Sequence, residues 1–191
     1  DVHVQDETAL LKRLRGNKSI GPTPDTSYHF VDEATRASTG TRQHKLRPIV
    51  IGFGPCGIFA ALILAQMGLK PIVLERGKKV RERTQDTWGL WRKNILNPES
   101  NVQFGEGGAG TFSDGKLYSQ IKDPRHLGRK VMNEFVRFGA PEEILWAAHP
   151  HIGTFKLVKV VEGLRAEIIR LGGEVRFAQR VTDIRYADQR Q

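Results

Sequence analysis

Pro48-Ile-Val-Ile-Gly52-Phe-Gly54-Pro-Cys-Gly57-Ile-Phe-Ala-Ala-Leu-Ile-Leu-Ala65 constrains this chain more than any other stretch. Ile49, Val50 and Ile51 form a short uncharged run of β-branched residues, as expected of a strand buried on both faces. Gly52, Gly54 and Gly57 follow at G-x-G-x-x-G spacing, and Ile58 to Ala65 is apolar with good helix formers. In such a turn the first glycine permits the sharp bend from strand to helix. The second keeps side-chain bulk away from a pyrophosphate, and the third lets the helix pack closely on its strand. The helix N-terminus then offers free N–H groups and a positive dipole end to the phosphates.

The flanking residues complete the pattern. Gly68 stands where the helix should stop. Pro71-Ile-Val-Leu-Glu75 reads as a second buried strand ending in an acid, about 20 residues beyond the glycines, where a carboxylate can accept bonds from an adenosine ribose. A 2′-phosphate at that place would meet a like charge, so Glu75 favours FAD or NAD over NADP. Glycine turn, helix, strand and terminal acid make one βαβ unit.

The 191 residues suit one or two domains. The sequence opens on Asp1 and closes on Ala187-Asp-Gln-Arg-Gln191, and is expected to be a piece of a longer protein. Residues 1–44 read as a partial N-terminal segment and linker, and residues 45–191 as the dinucleotide-binding domain. No stretch approaches the 18 or so apolar residues of a membrane span. Cys56 is the only cysteine, which excludes an intrachain disulfide and points to a reducing cytoplasm.

Thirty Lys and Arg against 21 Asp and Glu give a formal charge of +9, which suits anionic ligands, nucleic acid or an acidic partner. Between residues 76 and 93, seven bases (Arg76, Lys78, Lys79, Arg81, Arg83, Arg92, Lys93) face two acids (Glu82, Asp86). The bases form no run of five and no aromatic residues interleave with them as on a stacking platform. A solvated helix face near a phosphate site is therefore favoured over nucleic-acid binding.

In chain order, Glu7 to Leu14 suits an amphipathic helix and Ser27 to Thr41 an extended linker. Val80 to Asn94 reads as a helix whose Trp88 and Trp91 pack against the core. Arg129 to Phe138 should be helical, and Pro141-Glu-Glu-Ile should open a further helix with proline at its first position. His149 and His151 lack a neighbouring carboxylate or third histidine, so metal ligation is not expected. Thr154 is the expected N-cap of a long helix with the stripe Leu157, Val161, Leu164, Ile168 and Leu171. Gly172-Gly173 ends it, and residues 174–177 and 180–184 follow as strands. This alternation predicts an α/β fold with a doubly wound parallel sheet.

A second glycine-rich stretch, Asn101 to Leu117, holds five glycines within 11 residues (Gly105, Gly107, Gly108, Gly110, Gly115). Such a density rules out a regular element and suits backbone wrapped around a flat or anionic ligand. Glu106, Ser113, Asp114 and Lys116 would supply side-chain contacts.

Val102-Gln-Phe-Gly-Glu-Gly-Gly-Ala-Gly-Thr-Phe-Ser-Asp-Gly-Lys-Leu117, with Gly52–Gly57 and Glu75-Arg76-Gly77, resembles a group of bacterial flavoproteins within the glutathione-reductase-like FAD-dependent dehydrogenases. The resemblance runs from about residue 46 to residue 184. It implies a Rossmann-like FAD/NAD(P)-binding domain with a parallel sheet, preceded by a partial N-terminal segment and incomplete at its C-terminus. It also implies an oxidoreductase that binds FAD, with NAD(P)H as a possible electron donor and a small-molecule substrate. By that resemblance Gly52, Gly54 and Gly57 line the FAD pyrophosphate with Pro55 and Cys56 in the same loop, and Glu75 meets the ribose beside Arg76. Gly107, Gly108, Ala109, Gly110, Thr111 and Ser113 approach the flavin end, and Val181 touches the adenine through its backbone. The later Ala-Thr-Gly strand and Gly-Asp contact of the family are missing. Flavin–thiol enzymes use two cysteines and this chain has one, so Cys56 is expected to pack within the phosphate loop. An FAD-dependent RNA-modifying protein that binds nucleic acid through its basic surface is the alternative.

Overall fold

Two apolar helices lie together on one side of a short parallel sheet, and that contact makes the core. The structure, a computed structural model, describes residues 4–31, 46–119 and 121–185. Its elements are α1 (Glu7–Arg13), β1 (Ile49–Ile51), α2 (Pro55–Gln66), β2 (Ile72–Leu74), α3 (Val80–Lys93), α4 (Leu127–Arg137), α5 (Thr154–Arg170) and β3 (Glu174–Arg176). Single 3₁₀ turns occupy Ala109–Phe112 and Glu142–Leu145. The sheet runs in the order β1-β2-β3, all parallel, with Val50 opposite Val73 and Val73 opposite Val175. The expected mixed α/β fold with a parallel sheet is therefore present.

Composition explains the layering. α2 is apolar on nearly every side, and buries Ile58, Ala61, Leu62 and Ala65. α5 carries the expected stripe and buries Leu157, Val161, Leu164 and Ile168, with Val160 and Glu167 added to it. The two helices pack on each other, α2 also on β1 and β2 and α5 on β3, and Val73 of the central strand is fully enclosed. Each such Leu, Ile or Val contributes about 1.5–3 kcal/mol by leaving water.

Several expectations need correction. β1 is not buried on both faces: Val50 turns toward the helices, while Ile49 and Ile51 are 62% and 54% exposed. Helices cover one face only among the described residues, and β1 is an edge strand. Pro141 precedes a 3₁₀ turn and opens no α-helix, and Gly153 rather than Thr154 is the N-cap of α5. Thr154 Oγ1 instead donates to the Ser113 carbonyl at 2.9 Å. Residues 180–184 form no strand, and Trp88 and Trp91 lie at the surface.

The N-terminal segment contributes no core. α1 is capped by Asp6 and buries none of its residues, and residues 20–31 are irregular. The expected linker from Ser27 to Thr41 lies outside the described residues beyond 31. Among the described residues no helix is long and apolar enough to cross a membrane.

Candidate nucleotide-binding site

The first glycine turn is shaped by its own backbone and one carboxylate. Gly52 N–H donates to the Leu74 carbonyl at 2.8 Å, fastening the end of β1 to β2. The Phe53 ring enters the core, and the Phe53 N–H donates to Glu75 Oε2 at 2.7 Å. Glu75 Oε1 accepts from the Gly77 N–H at 2.7 Å. Glu75 is thus first a brace that holds the turn after β1 against the turn after β2. Each of its oxygens keeps one further acceptor position, enough for the hydroxyls of a ribose.

α2 begins directly behind this turn. Gly54 is its N-cap, Pro55 stands in its first turn, and no side chain caps it. Its first-turn N–H groups and dipole therefore remain available to an anion. A Cβ on Gly57 would lie 2.0 Å from the Gly52 carbonyl oxygen, so no other residue allows this helix its approach to the turn.

The second glycine stretch folds back onto the first. Gly107 N–H donates to the Phe53 carbonyl at 2.9 Å, and Glu106 N–H to that of Lys78 at 3.1 Å. Gly108 has φ of +63°, and a Cβ there would stand 3.1 Å from Pro55 Cδ and 3.4 Å from Gly54 Cα. Two backbones without side chains thus face each other across the mouth of the helix.

Arg83, on α3, fixes the shape of the second stretch. Its guanidinium is fully buried and donates to the carbonyls of Asn101 (2.7 Å), Glu106 (2.7 Å) and Val102 (2.5 Å). Burial pulls the group down to about 10, against the opposing pull of Glu75 and Glu106. Glu106 is itself fully buried, so its expected part as a ligand contact is not seen. Its Oε2 accepts from the Val80 N–H at 2.8 Å and from Arg165 Nη1 at 2.5 Å. Burial pushes the Glu106 carboxyl up, against the Val80 amide and the Arg165 charge.

Two clefts adjoin these loops. The first, of 390 Å³, is lined by Gly52, Gly54, Glu75, Arg76, Gly108 and Val181, together with Gln103, Phe104 and Arg180. Val181 reaches it without a strand, because Gln179 N–H donates to the Glu75 carbonyl at 2.9 Å. Arg76 stacks over the Phe104 ring at 3.7 Å, and Glu99 holds both Arg76 and Arg180 at 2.9 Å. The second cleft, of 250 Å³ and mainly apolar, takes Pro55, Gly107, Gly110, Thr111 and Ser113 from the predicted set. Cys56 and Ala109 are exposed and line neither cleft, and Cys56 does not pack as expected. Sequence reasoning marks Phe104 only as an aromatic residue interleaved in the glycine-rich stretch, and does not single out Arg83 or Arg180. Nothing in the order of residues separates Arg83 from the six other bases around it.

Among the described residues no group of three or more His, Cys, Asp or Glu could hold a metal ion. No family model matches the chain. The chain is similar to a protein of Clostridium beijerinckii described as uncharacterized, 47% identical over 188 residues. The match takes in 98% of this chain and 34% of that protein, so the chain spans about a third of the length of this curated relative.

Proposed function

We propose that this chain is the FAD-binding part of an oxidoreductase, built on a Rossmann-like α/β sheet. One observation carries the reading. The glycine loops at Gly52–Gly57 and Gly105–Gly110 close on the uncapped N-terminus of α2, with Glu75 beneath them. A bare backbone cradle at a helix N-terminus suits a pyrophosphate, and an acid at the end of the next strand suits the adjoining ribose.

The residues fit that group. Gly54, Gly57 and Gly108 leave the space where side chains would stand, and Glu75 retains acceptor capacity toward the first cleft. Phe104, Arg76 and Val181 would border the adenine, and Gly107, Gly110, Thr111 and Ser113 the flavin end. Bound flavin would supply the hydride and electron chemistry, with NAD(P)H as donor. The part of the chain's own residues is to bind, orient and keep water from the cofactor. The exposed thiol of Cys56 suits a reducing compartment, and the cytoplasm is the proposed location.

The visible absorption spectrum of the purified protein, before and after acid release, tests the reading. Flavin bands with FAD in the supernatant are expected, or FAD uptake by a colourless preparation. A protein that neither carries nor takes up FAD, tested as this chain and as the full-length relative of Clostridium beijerinckii, overturns the reading.

A further inference from the structure

A groove of 540 Å³ runs between α3 and α5, on the far side of the Ala109–Phe112 turn from the apolar cleft, and Thr111 borders both. Four aromatic rings line it, including two of the chain's three tryptophans. Trp88 and Trp91 meet edge to face at 6.1 Å, and Trp91 meets Phe112 in the same way at 6.0 Å. Phe155 faces them from α5, 92% exposed and with no ring partner among the described residues. Contiguous exposed rings of this kind are a mark of an interaction surface.

The charge beside the rings is positive. Arg81 and Lys159 line the groove, and the Arg92 guanidinium lies 3.9 Å over the Trp88 ring. Glu162 pairs with Arg81, whereas Arg92 and Lys159 pair with no carboxylate among the described residues. Folding α3 and α5 side by side brings the rings and bases of residues 81–92 and 155–159 to one groove. Grooves for amphipathic helices present apolar surface to aliphatic anchors. Four rings beside two cations without a carboxylate partner, Arg92 and Lys159, instead match flat bases and the phosphates between them.

We propose that this groove is a docking surface for single-stranded nucleic acid, with bases stacking on Trp91 and Phe155 and phosphates meeting Arg92 and Lys159. The inference does not rest on the FAD reading, and FAD uptake measured in the same samples keeps the two apart.

The test is fluorescence anisotropy with a labelled oligo(U) 20-mer between 50 and 200 mM salt, with tryptophan quenching read in parallel. Binding is expected with quenching and a log–log salt slope of about −1.4, from up to two phosphates at about −0.7 each. Trp91→Ala and Phe155→Ala should each weaken it about 5-fold or more. Both side chains are largely exposed, so the fold should persist, as circular dichroism will report. Lys159→Gln should flatten the slope by about 0.7. Absence of binding at 50 mM salt overturns the proposal, as does binding indifferent to both aromatic variants. Equal affinity for a poly-glutamate peptide with interspersed phenylalanines overturns it in favour of an acidic protein partner.

Discussion

The Phe53 carbonyl accepts the Gly107 N–H at 2.9 Å, so the two glycine-rich stretches of this chain are one object in space. The N–H of the same Phe53 is held by Glu75, which makes this residue the joint between the first glycine turn, the acid and the second loop.

Gly108→Ala should separate those loops. The new Cβ would press on Pro55 and Gly54 at a φ of +63° and ψ of −167°, a backbone region that is essentially glycine's alone and costs another residue about 1–3 kcal/mol. Global stability should fall by about that amount, while FAD affinity falls at least tenfold. Urea unfolding and flavin fluorescence titration of the variant check both halves.

Arg83→Lys should be severe although the charge is kept. A lysine ammonium is a point donor and cannot span three carbonyls as the guanidinium does. A loss of about 3 kcal/mol or more is expected, since buried acceptors are left unpaired. The urea midpoint reads it, and a change within 0.5 kcal/mol would refute the role of Arg83 as a brace.

Glu134 should make the fold sensitive to acid. Burial pushes its carboxyl up, but hydrogen bonds from Lys130 and Gln66, with the charges of Lys130 and Arg137, pull it below the usual value. A lowered carboxyl contributes stability that is present above its unfolded value of 4.5 and lost as pH falls through the folded one. Glu106, pushed up by burial, contributes in the opposite sense as it takes its proton. Glu134→Gln should cost about 1–3 kcal/mol at pH 7 and reduce the further loss between pH 5 and 3. Denaturation midpoints across that range, wild type against variant, decide it.

Leu164→Ala should cost about 2–5 kcal/mol, because the side chain is enclosed between α2 and α5. Ile169→Ala on the half-exposed side of the same helix should stay within about 0.5–1 kcal/mol. Thermal melts of the pair distinguish the apolar stripe from its neighbours.

Local periodicity carried the elements that bury apolar surface. Gly52, Gly57 and Glu75 could be placed because a tight turn, a close helix and a terminal acid each require one residue type at one spacing. The stripe on α5 was legible for the same reason. Elements without such a signature were not. Pro141 suits an α-helix and a 3₁₀ turn alike, and residues 180–184 lack a neighbouring strand among the described residues. The β-branched run at Ile49–Ile51 looked doubly buried because sequence records apolar character, whereas covering layers decide burial. Trp88 and Trp91 looked like core for the same reason. The contacts of Arg83 with Asn101, Val102 and Glu106 arise only from packing, so no spacing rule foretells them.

The three hydrogen bonds of Arg83 also tie two parts of the chain into one unfolding unit. Residues 101–106 contain no regular element, and their carbonyls converge on a group supplied by α3. The loop therefore takes its shape as a cast of that guanidinium, and α3 cannot detach without melting it. Amide hydrogen exchange in α3 and in Asn101–Gly108 should share one opening free energy, above that of α1, which buries nothing. A nucleotide bound in the cradle would then slow exchange in a helix that lines the aromatic groove on its other side.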